Sequence, residues 1–246
     1  MANNIFILDF GSGNTCKNDL AIGTEMIDRL AEVIPEDKRD NVLIKWQLFD
    51  EAGDNTPLDK TMYGKFVFHA LAKYKIKSFA SVFDVGSLQY LLTASISLPF
   101  VKIANNDSVR HLVSHIPRGV PIIMSFGTDD DWMLEKIVQA DVTSPITRPP
   151  NNECRAGNVY PLACISKYPA TLQQYEDRFT PDFLSFGISD HTDDWVLFVE
   201  YTPRVYECHF KLPDSTGLDA GVFARTPADI KDIAQLIGEG GKFEWR

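Results

Sequence analysis

The chain has 246 residues, 44% of them hydrophobic and 24% charged, with 34 acidic side chains against 24 basic ones and a formal net charge of −10. That content suits a globular protein with a sizeable core, and the acidic balance excludes a general nucleic-acid binder, which needs a basic surface against phosphates. No apolar run approaches the roughly 20 residues that span a bilayer, and the opening Met1-Ala2-Asn3-Asn4 carries no basic signal-peptide region, so a cytoplasmic location without membrane contact is expected.

Strand-like and helix-like stretches alternate along the chain. Residues 5–9 form a short apolar run closed by a Gly-Ser-Gly-Asn turn, and 19–33 follow with helical spacing at Leu20, Met26, Ile27 and Leu30. A strand at 42–49 leads through a Gly- and Pro-bearing loop to a helix at 62–74. Next come a strand at 78–83, a helix at 85–93, a strand at 100–103, a helix at 108–116, a strand at 121–125 and a helix at 132–139. Residues 143–158 hold three prolines and read as a long loop. The last strands fall at 159–165, 183–189 and 205–210, with helices at 172–178, 194–200 and 227–237. The last of these opens with Thr226 as N-cap and Pro227 at the first helical position.

Eight strands alternating with eight helices predict a (β/α)8 barrel, a single α/β domain over residues 1–246. The strands are continuously apolar, as both-face burial requires. An open doubly wound sheet is the alternative, but Gly11, Ser12 and Gly13 are followed by Asn14, Thr15 and Cys16, without the third glycine of a dinucleotide fingerprint. The four cysteines, Cys16, Cys154, Cys164 and Cys208, lie far apart with no CxxC pair, which fits a reducing compartment. Cys164 and Cys208 sit in strand-like runs and read as small buried hydrophobes; Cys16 falls in a polar loop.

In a barrel the chemistry lies at the C-terminal ends of the strands. Taken strand by strand, those ends carry Asp9; Lys45 and Gln47; Ser81; Lys102, Asn105 and Asp107; Ser125; Ser166; Ser189 and His191; and Glu207 and His209. Residues two apart on a strand share a face, so Ser189 points with His191, and Glu207 with His209. Two imidazoles, a carboxylate and a hydroxyl then converge on a volume suited to a divalent metal with open positions. The plainer alternative is a pair of strand-end histidines bonded to backbone. The serines have a plain role too, capping the next helix, and Asp107 has one in capping a helix that starts at Ser108. Lys45 and Lys102 are harder to explain structurally, because each sits inside an apolar strand where an ammonium is costly without an anionic partner. Two inward lysines with several hydroxyls suggest a site for a phosphorylated carboxylic acid.

Seven segments carry a resemblance: Lys45-Trp46-Gln47, Ala80-Ser81-Val82-Phe83-Asp84, Val101-Lys102-Ile103-Ala104-Asn105, Met124-Ser125-Phe126-Gly127, Cys164-Ile165-Ser166-Lys167-Tyr168-Pro169, Ser189-Asp190-His191-Thr192 and Glu207-Cys208-His209-Phe210. In order and spacing they resemble the catalytic barrel of the sialic acid (N-acetylneuraminate) synthase family, over nearly the whole chain. The resemblance implies condensation of phosphoenolpyruvate with an aldose such as N-acetylmannosamine or a relative, with release of phosphate. It implies that Gln47, Ser81, Lys102, Asn105, Ser125, Ser166 and Ser189 hold phosphoenolpyruvate. His191 and His209 would bind a divalent ion (manganese, or magnesium or cobalt). Lys45, Asp107, Glu207 and Asp9 would serve the chemistry, while Tyr168 and Asp219 face the sugar.

The sequence also departs from the family. Asp9 and Asp107 stand where the family has Glu, Val82 replaces a proline, Phe126 replaces a threonine, and the loop at 11–18 lacks an expected Asn-His pair. The chain ends at Arg246, where relatives usually continue into a small antifreeze-like domain, so a monomer or a dimer held by barrel surfaces is expected. These departures leave open a non-catalytic relative that binds phosphoenolpyruvate or another acidic metabolite. A metal-assisted aldolase or phosphodiesterase on the same barrel is a third option, since fold alone does not fix function.

Overall fold

The computed structural model of the protein describes residues 4–51, 53–94, 98–117, 119–127 and 159–237. Eight strands pair in sequence order, all parallel: β1 (Ile5–Asp9), β2 (Val42–Leu48), β3 (Lys77–Val82), β4 (Val101–Ile103), β5 (Ile122–Phe126), β6 (Val159–Cys164), β7 (Gly187–Asp190) and β8 (Val205–His209). Strand β8 returns to β1, with Glu207 opposite Ile7 and His209 opposite Asp9, and closes the barrel. The fold is thus the (β/α)8 barrel, and the open sheet is excluded. Among the described residues no helix is long and apolar enough to cross a membrane.

Carboxylate caps start several of the surrounding helices. Asp19 accepts from the backbone N–H groups of Ala21 and Ile22 at the start of Leu20–Val33, Asp59 from Met62 at Lys60–Tyr74, and Asp84 from Ser87 at Val85–Thr93. Each satisfies donors that a helix N-terminus leaves unpaired.

Three expectations need correction. The strand expected at 183–189 is only Gly187–Asp190, because Pro181–Phe186 is a helix with Thr180 as N-cap and Pro181 at its first turn. That is the same Thr-Pro signal read correctly at Thr226 and Pro227. The helix expected at 108–116 is a 3-10 helix, Asp107–His115, and its cap is Asn106, which accepts from Ser108 N–H; Asp107 does not cap it. The helix expected at 194–200 is Val196–Tyr201. The helix expected at 132–139, the loop at 143–158 and Cys154 lie outside the described residues.

The side-chain period of two sorts the barrel into layers. Outward residues such as Phe6, Leu8, Ile44, Trp46, Ile188 and Tyr206 join the large core under the helices. Inward residues of the lower half form a separate apolar plug of Ile5, Ile7, Leu43, Phe79, Phe100, Ile123, Leu162 and Val205. One step further along the same strands, the inward positions become Asp9, Lys45, Ser81, Lys102, Ser125, Cys164, Ser189 and Glu207, all buried. Burying each plug side chain contributes about 1.5–3 kcal/mol, which offsets the cost of the polar layer above it. The plug also closes the cavity from below.

Candidate active site

All of the predicted site residues except Asp107 line one cavity of about 240 Å³ at the C-terminal mouth of the barrel. Asp107 is on the rim, its side chain 81% exposed and paired with Arg110 Nε at 2.9 Å. The neighbouring Asn106 faces the cavity instead. The irregular backbone after β4 breaks the strand's period of two, so spacing alone misplaces that carboxylate. Phe83, Ala104 and Cys164 also line the cavity. Cys164, a buried hydrophobe by its sequence setting, lies opposite Ser189 in register and shares that residue's inward face.

Charge is concentrated at the floor. Glu207 accepts from Lys102 Nζ at 2.9 Å with each carboxylate oxygen, and its Oε1 also accepts from Lys45 Nζ and Ser189 Oγ, both at 2.9 Å. Lys45 Nζ lies 2.8 Å from Asp9 Oδ2 as well. Burial by itself would raise the Glu207 carboxyl, but Lys102 and Lys45 outweigh it and hold the group well below the usual carboxylate range. Burial pulls Lys45 down, while Asp9 and Glu207 lift it above the normal ammonium range. Lys102 goes the other way: burial and the neighbouring Lys45 lower it despite Glu207. Lys102 is therefore the ammonium with the most to gain from a further anion.

One wall is carboxylate-rich. Gln47 Nε2 donates to Asp9 Oδ2 at 3.0 Å and to Asp219 Oδ1 at 3.1 Å. Asp9 Oδ1 accepts from Gly11 N–H at 2.9 Å. Gly11 has φ +72°, and a Cβ there would sit 2.7 Å from Asp219 Oδ2, so the turn needs glycine both for its left-handed backbone and for the close approach. Burial raises the Asp219 carboxyl, His209 pulls it down in part, and Asp9 adds to the rise. Across the cavity Asn105 Nδ2 donates to Ser166 Oγ at 3.0 Å. Ser125 Oγ, His209 Nδ1 and Asp219 Oδ2 are buried without a hydrogen-bond partner among the described residues. Unpaired buried polar atoms are costly in a closed core and expected in a site that receives a polar ligand.

The histidines meet at the mouth, their ring centroids 5.4 Å apart. His191 Nδ1 lies 2.7 Å from the Ile165 carbonyl, which can only accept, so Nδ1 carries the proton and Nε2 keeps its lone pair. Burial, with His209 beside it, lowers the His191 imidazole to about 3. It is neutral at physiological pH, the form that ligates a cation. A metal-ligating histidine commonly has its other nitrogen tied to a carbonyl in this way. The pair fits a divalent ion. Among the described residues no group of three or more His, Cys, Asp and Glu converges as a ligand set, so the fit is to an open site with two protein nitrogens, not a closed cage. The Tyr168 ring lies 4.2 Å from His191, and Phe223 lies 5.1 Å from His209 and 4.9 Å from Tyr168. Phe223 comes from the loop after β8 and carried no signal in the sequence.

The fold is similar to several solved structures. One is an N-acetylneuraminic acid (sialic acid) synthetase from Leptospira borgpetersenii solved with citrate, at 21% identity and TM-score 0.68, covering 99% of this chain and 88% of that one. A second is a spore coat polysaccharide biosynthesis protein E from Chromobacterium violaceum, at 15% identity and TM-score 0.66, covering 99% and 79%. A third is the spore coat polysaccharide biosynthesis protein SpsE from Bacillus subtilis, at 19% identity and TM-score 0.64, covering 96% and 67%. At these identities the likeness carries the fold alone. No curated protein sequence matches. The family model described as the NeuB family matches residues 51–240, most of the barrel and every candidate site residue from Ser81 onward. The chain belongs to the NeuB family.

Proposed function

We propose that the protein is a sugar-acid synthase that condenses phosphoenolpyruvate with an aldose and releases phosphate. The observation that carries this reading is the inward ring of Lys45, Lys102, Ser81, Ser125 and Ser189 set directly below the His191–His209 pair, in a chain of the NeuB family. Family membership supports sugar-acid synthesis in general; the cavity's chemistry supports the choice of phosphoenolpyruvate. The ligand's phosphate and carboxylate need cations and hydroxyl donors, and the two ammoniums with three serines and Asn105 supply them.

In the reaction the methylene carbon of the enol forms a bond to the aldehyde carbon. The electron pair of that carbonyl moves to its oxygen, which takes a proton. Water adds to the former enol carbon with loss of one proton; the new hydroxyl then gives up its second proton as it becomes the keto oxygen, while the bond from that carbon to the phosphate-bearing oxygen breaks and phosphate leaves. His191 and His209 would hold a divalent ion such as manganese, and such an ion polarises an aldehyde oxygen.

The chain's own groups divide the remaining work. Glu207, kept anionic by two ammoniums, balances charge on the floor. Asp219, raised by burial, lines the cavity beside Gln47 and is the carboxyl there whose surroundings favour the protonated form, which suits it to moving a proton. Gln47 orients Asp9 and Asp219 toward the same side. Tyr168 and Phe223 shield the histidines from bulk water.

The test is to incubate the protein with phosphoenolpyruvate, manganese and a panel of aldoses and to follow phosphate. Release that requires an acceptor is the expected result. Tight phosphoenolpyruvate binding with no release for any acceptor would reject the synthase and leave a binding protein.

A further inference from the structure

Asp190 lies between two cavity-facing residues, Ser189 and His191, yet points the opposite way, and it is fully buried behind the sheet. A carboxylate there is expensive without partners. It has three. Oδ1 accepts from Thr192 N–H at 2.6 Å, Oδ2 accepts from the Tyr206 hydroxyl, and Arg225 Nη2 lies 3.6 Å from Oδ2.

Arg225 is 3% exposed; its Nε has no hydrogen-bond partner among the described residues, but the rest of the residue is held. Its guanidinium donates to the Asp194 carbonyl and stacks 4.7 Å over Trp195. Its backbone N–H donates to the His209 carbonyl at 2.8 Å, and its own carbonyl accepts from Lys211 N–H at 2.9 Å. One residue therefore grips both strand ends, that of β8 at His209 through the main chain and that of β7 next to His191 through the side chain. A second clamp acts on β7 alone: the buried Tyr175 hydroxyl donates to the Ser189 carbonyl at 2.6 Å and accepts from His191 N–H at 3.3 Å.

We infer that the buried Arg225–Asp190 pair is a positioning device that sets the mutual placement of His191 and His209. Neither member lines the cavity. A buried ion pair is weak evidence for stability, because an apolar replacement of similar volume is often neutral or stabilising. What such a replacement cannot reproduce is a directed link between the two strand ends that carry the imidazoles. The inference leans on the proposed metal role of the histidines only for one of its two readouts.

Either single substitution would strand the partner's charge in the core, so the informative variant is the double Asp190→Asn/Arg225→Met. It removes both charges, keeps an acceptor for Thr192 N–H, and fills the arginine stem's volume. A melting temperature close to that of the unsubstituted protein is expected. The chain has only five histidines, so long-range imidazole ¹⁵N–¹H spectra, recorded without metal, should show the signals of His191 and His209 displaced and those of His69, His111 and His115 unmoved. Manganese affinity by calorimetry should fall about 10- to 100-fold, the usual effect of losing a ligand's supporting contact. Unchanged His191 and His209 signals in the folded double variant would overturn the inference. Absence of manganese binding to the unsubstituted protein would instead reject the metal reading, and the spectra would still decide this one.

Discussion

Lys102 and Glu207 meet through both carboxylate oxygens at 2.9 Å, in a layer where both side chains are nearly inaccessible. The contact occupies the ammonium that a phosphorylated acid would need. A phosphorylated acid bound as proposed would share the Lys102 ammonium with Glu207.

Glu207→Gln follows directly from that contact. Removing one partner of a buried charged cluster costs about 3–5 kcal/mol, and here it leaves both Lys45 and Lys102 with less anionic company. The ligand-free variant should melt well below the unsubstituted protein. Added phosphate or phosphoenolpyruvate should restore more stability to the variant than to the parent, since either anion replaces the lost charge. Differential scanning fluorimetry across a phosphate series checks this; an equal ligand shift in both proteins would count against Lys102 as the anion-binding group.

Lys102→Met tests the anion-binding role directly. Glu207 loses both of its contacts to Lys102 and is left to share Lys45 with Asp9. The variant is expected to melt below the parent, because it too removes one partner of a buried charged cluster. Losing a charged contact to a desolvated anion costs about 2–5 kcal/mol, so phosphoenolpyruvate affinity by calorimetry should fall on the order of a hundredfold.

His209→Ala is expected to abolish manganese binding while leaving the fold intact. With two protein nitrogens available the site has no ligand to spare; the ring also packs 5.1 Å from Phe223 and its Nδ1 lies 3.5 Å from Asp219, so a modest fall in melting temperature should accompany the lost binding. Titration calorimetry with manganese, beside a melting curve, decides it; a manganese response equal to that of the parent would remove His209 from the ligand set.

Stability should vary with pH on both sides of neutrality. His191 is lowered from 6.5 to about 3, so between those values the unfolded chain binds a proton that the folded one refuses, and stability falls as pH drops below 6.5. Glu207 and Asp9 are also held down, from 4.5 and 3.8, so their contribution is present above those values and lost as pH falls through their folded-state values. Lys45 is raised above 10.5, and its contribution is complete below that pH and lost as pH climbs past it. Asp219, raised, opposes the acid loss, and Lys102, lowered, opposes the alkaline one. Urea midpoints from pH 3 to 11 should plateau above pH 6.5 and fall again toward the alkaline end, where unfolding lets the buried Cys164 and Cys208 thiols and the Tyr175 and Tyr206 phenols ionise. His191→Gln should flatten the segment between pH 6.5 and 4.5 and leave the steeper fall below it.

The barrel and most of its mouth were written into local pattern. Continuous apolar strands announce burial on both faces, and a period of two carries Lys45 and Gln47, or Glu207 and His209, to one side without any tertiary information. Where the backbone leaves that period, local reasoning fails. Asp107 follows the irregular turn after β4 and ends on the rim paired with Arg110, while Asn106 takes the inward place. At Pro181, the following Phe183, Leu184 and Phe186 satisfy a strand and a short helix equally, and the Thr180 cap decides for the helix.

Only the closed barrel could bring together partners separated by more than a hundred residues. Lys45 and Glu207 are 162 positions apart, and Lys102 and Glu207 are 105 apart. Which ammonium a carboxylate chooses, and hence which group remains open to a substrate, depends on distances across the lumen that no spacing along one strand encodes. Arg225 and Asp190 illustrate the same limit behind the sheet: each looks like an ordinary surface charge in sequence, and only the docking of the last loop against β7 and β8 buries them as a pair. Chain periodicity determines the face a side chain occupies; its charge state and partner depend on what the other strands deliver to that face.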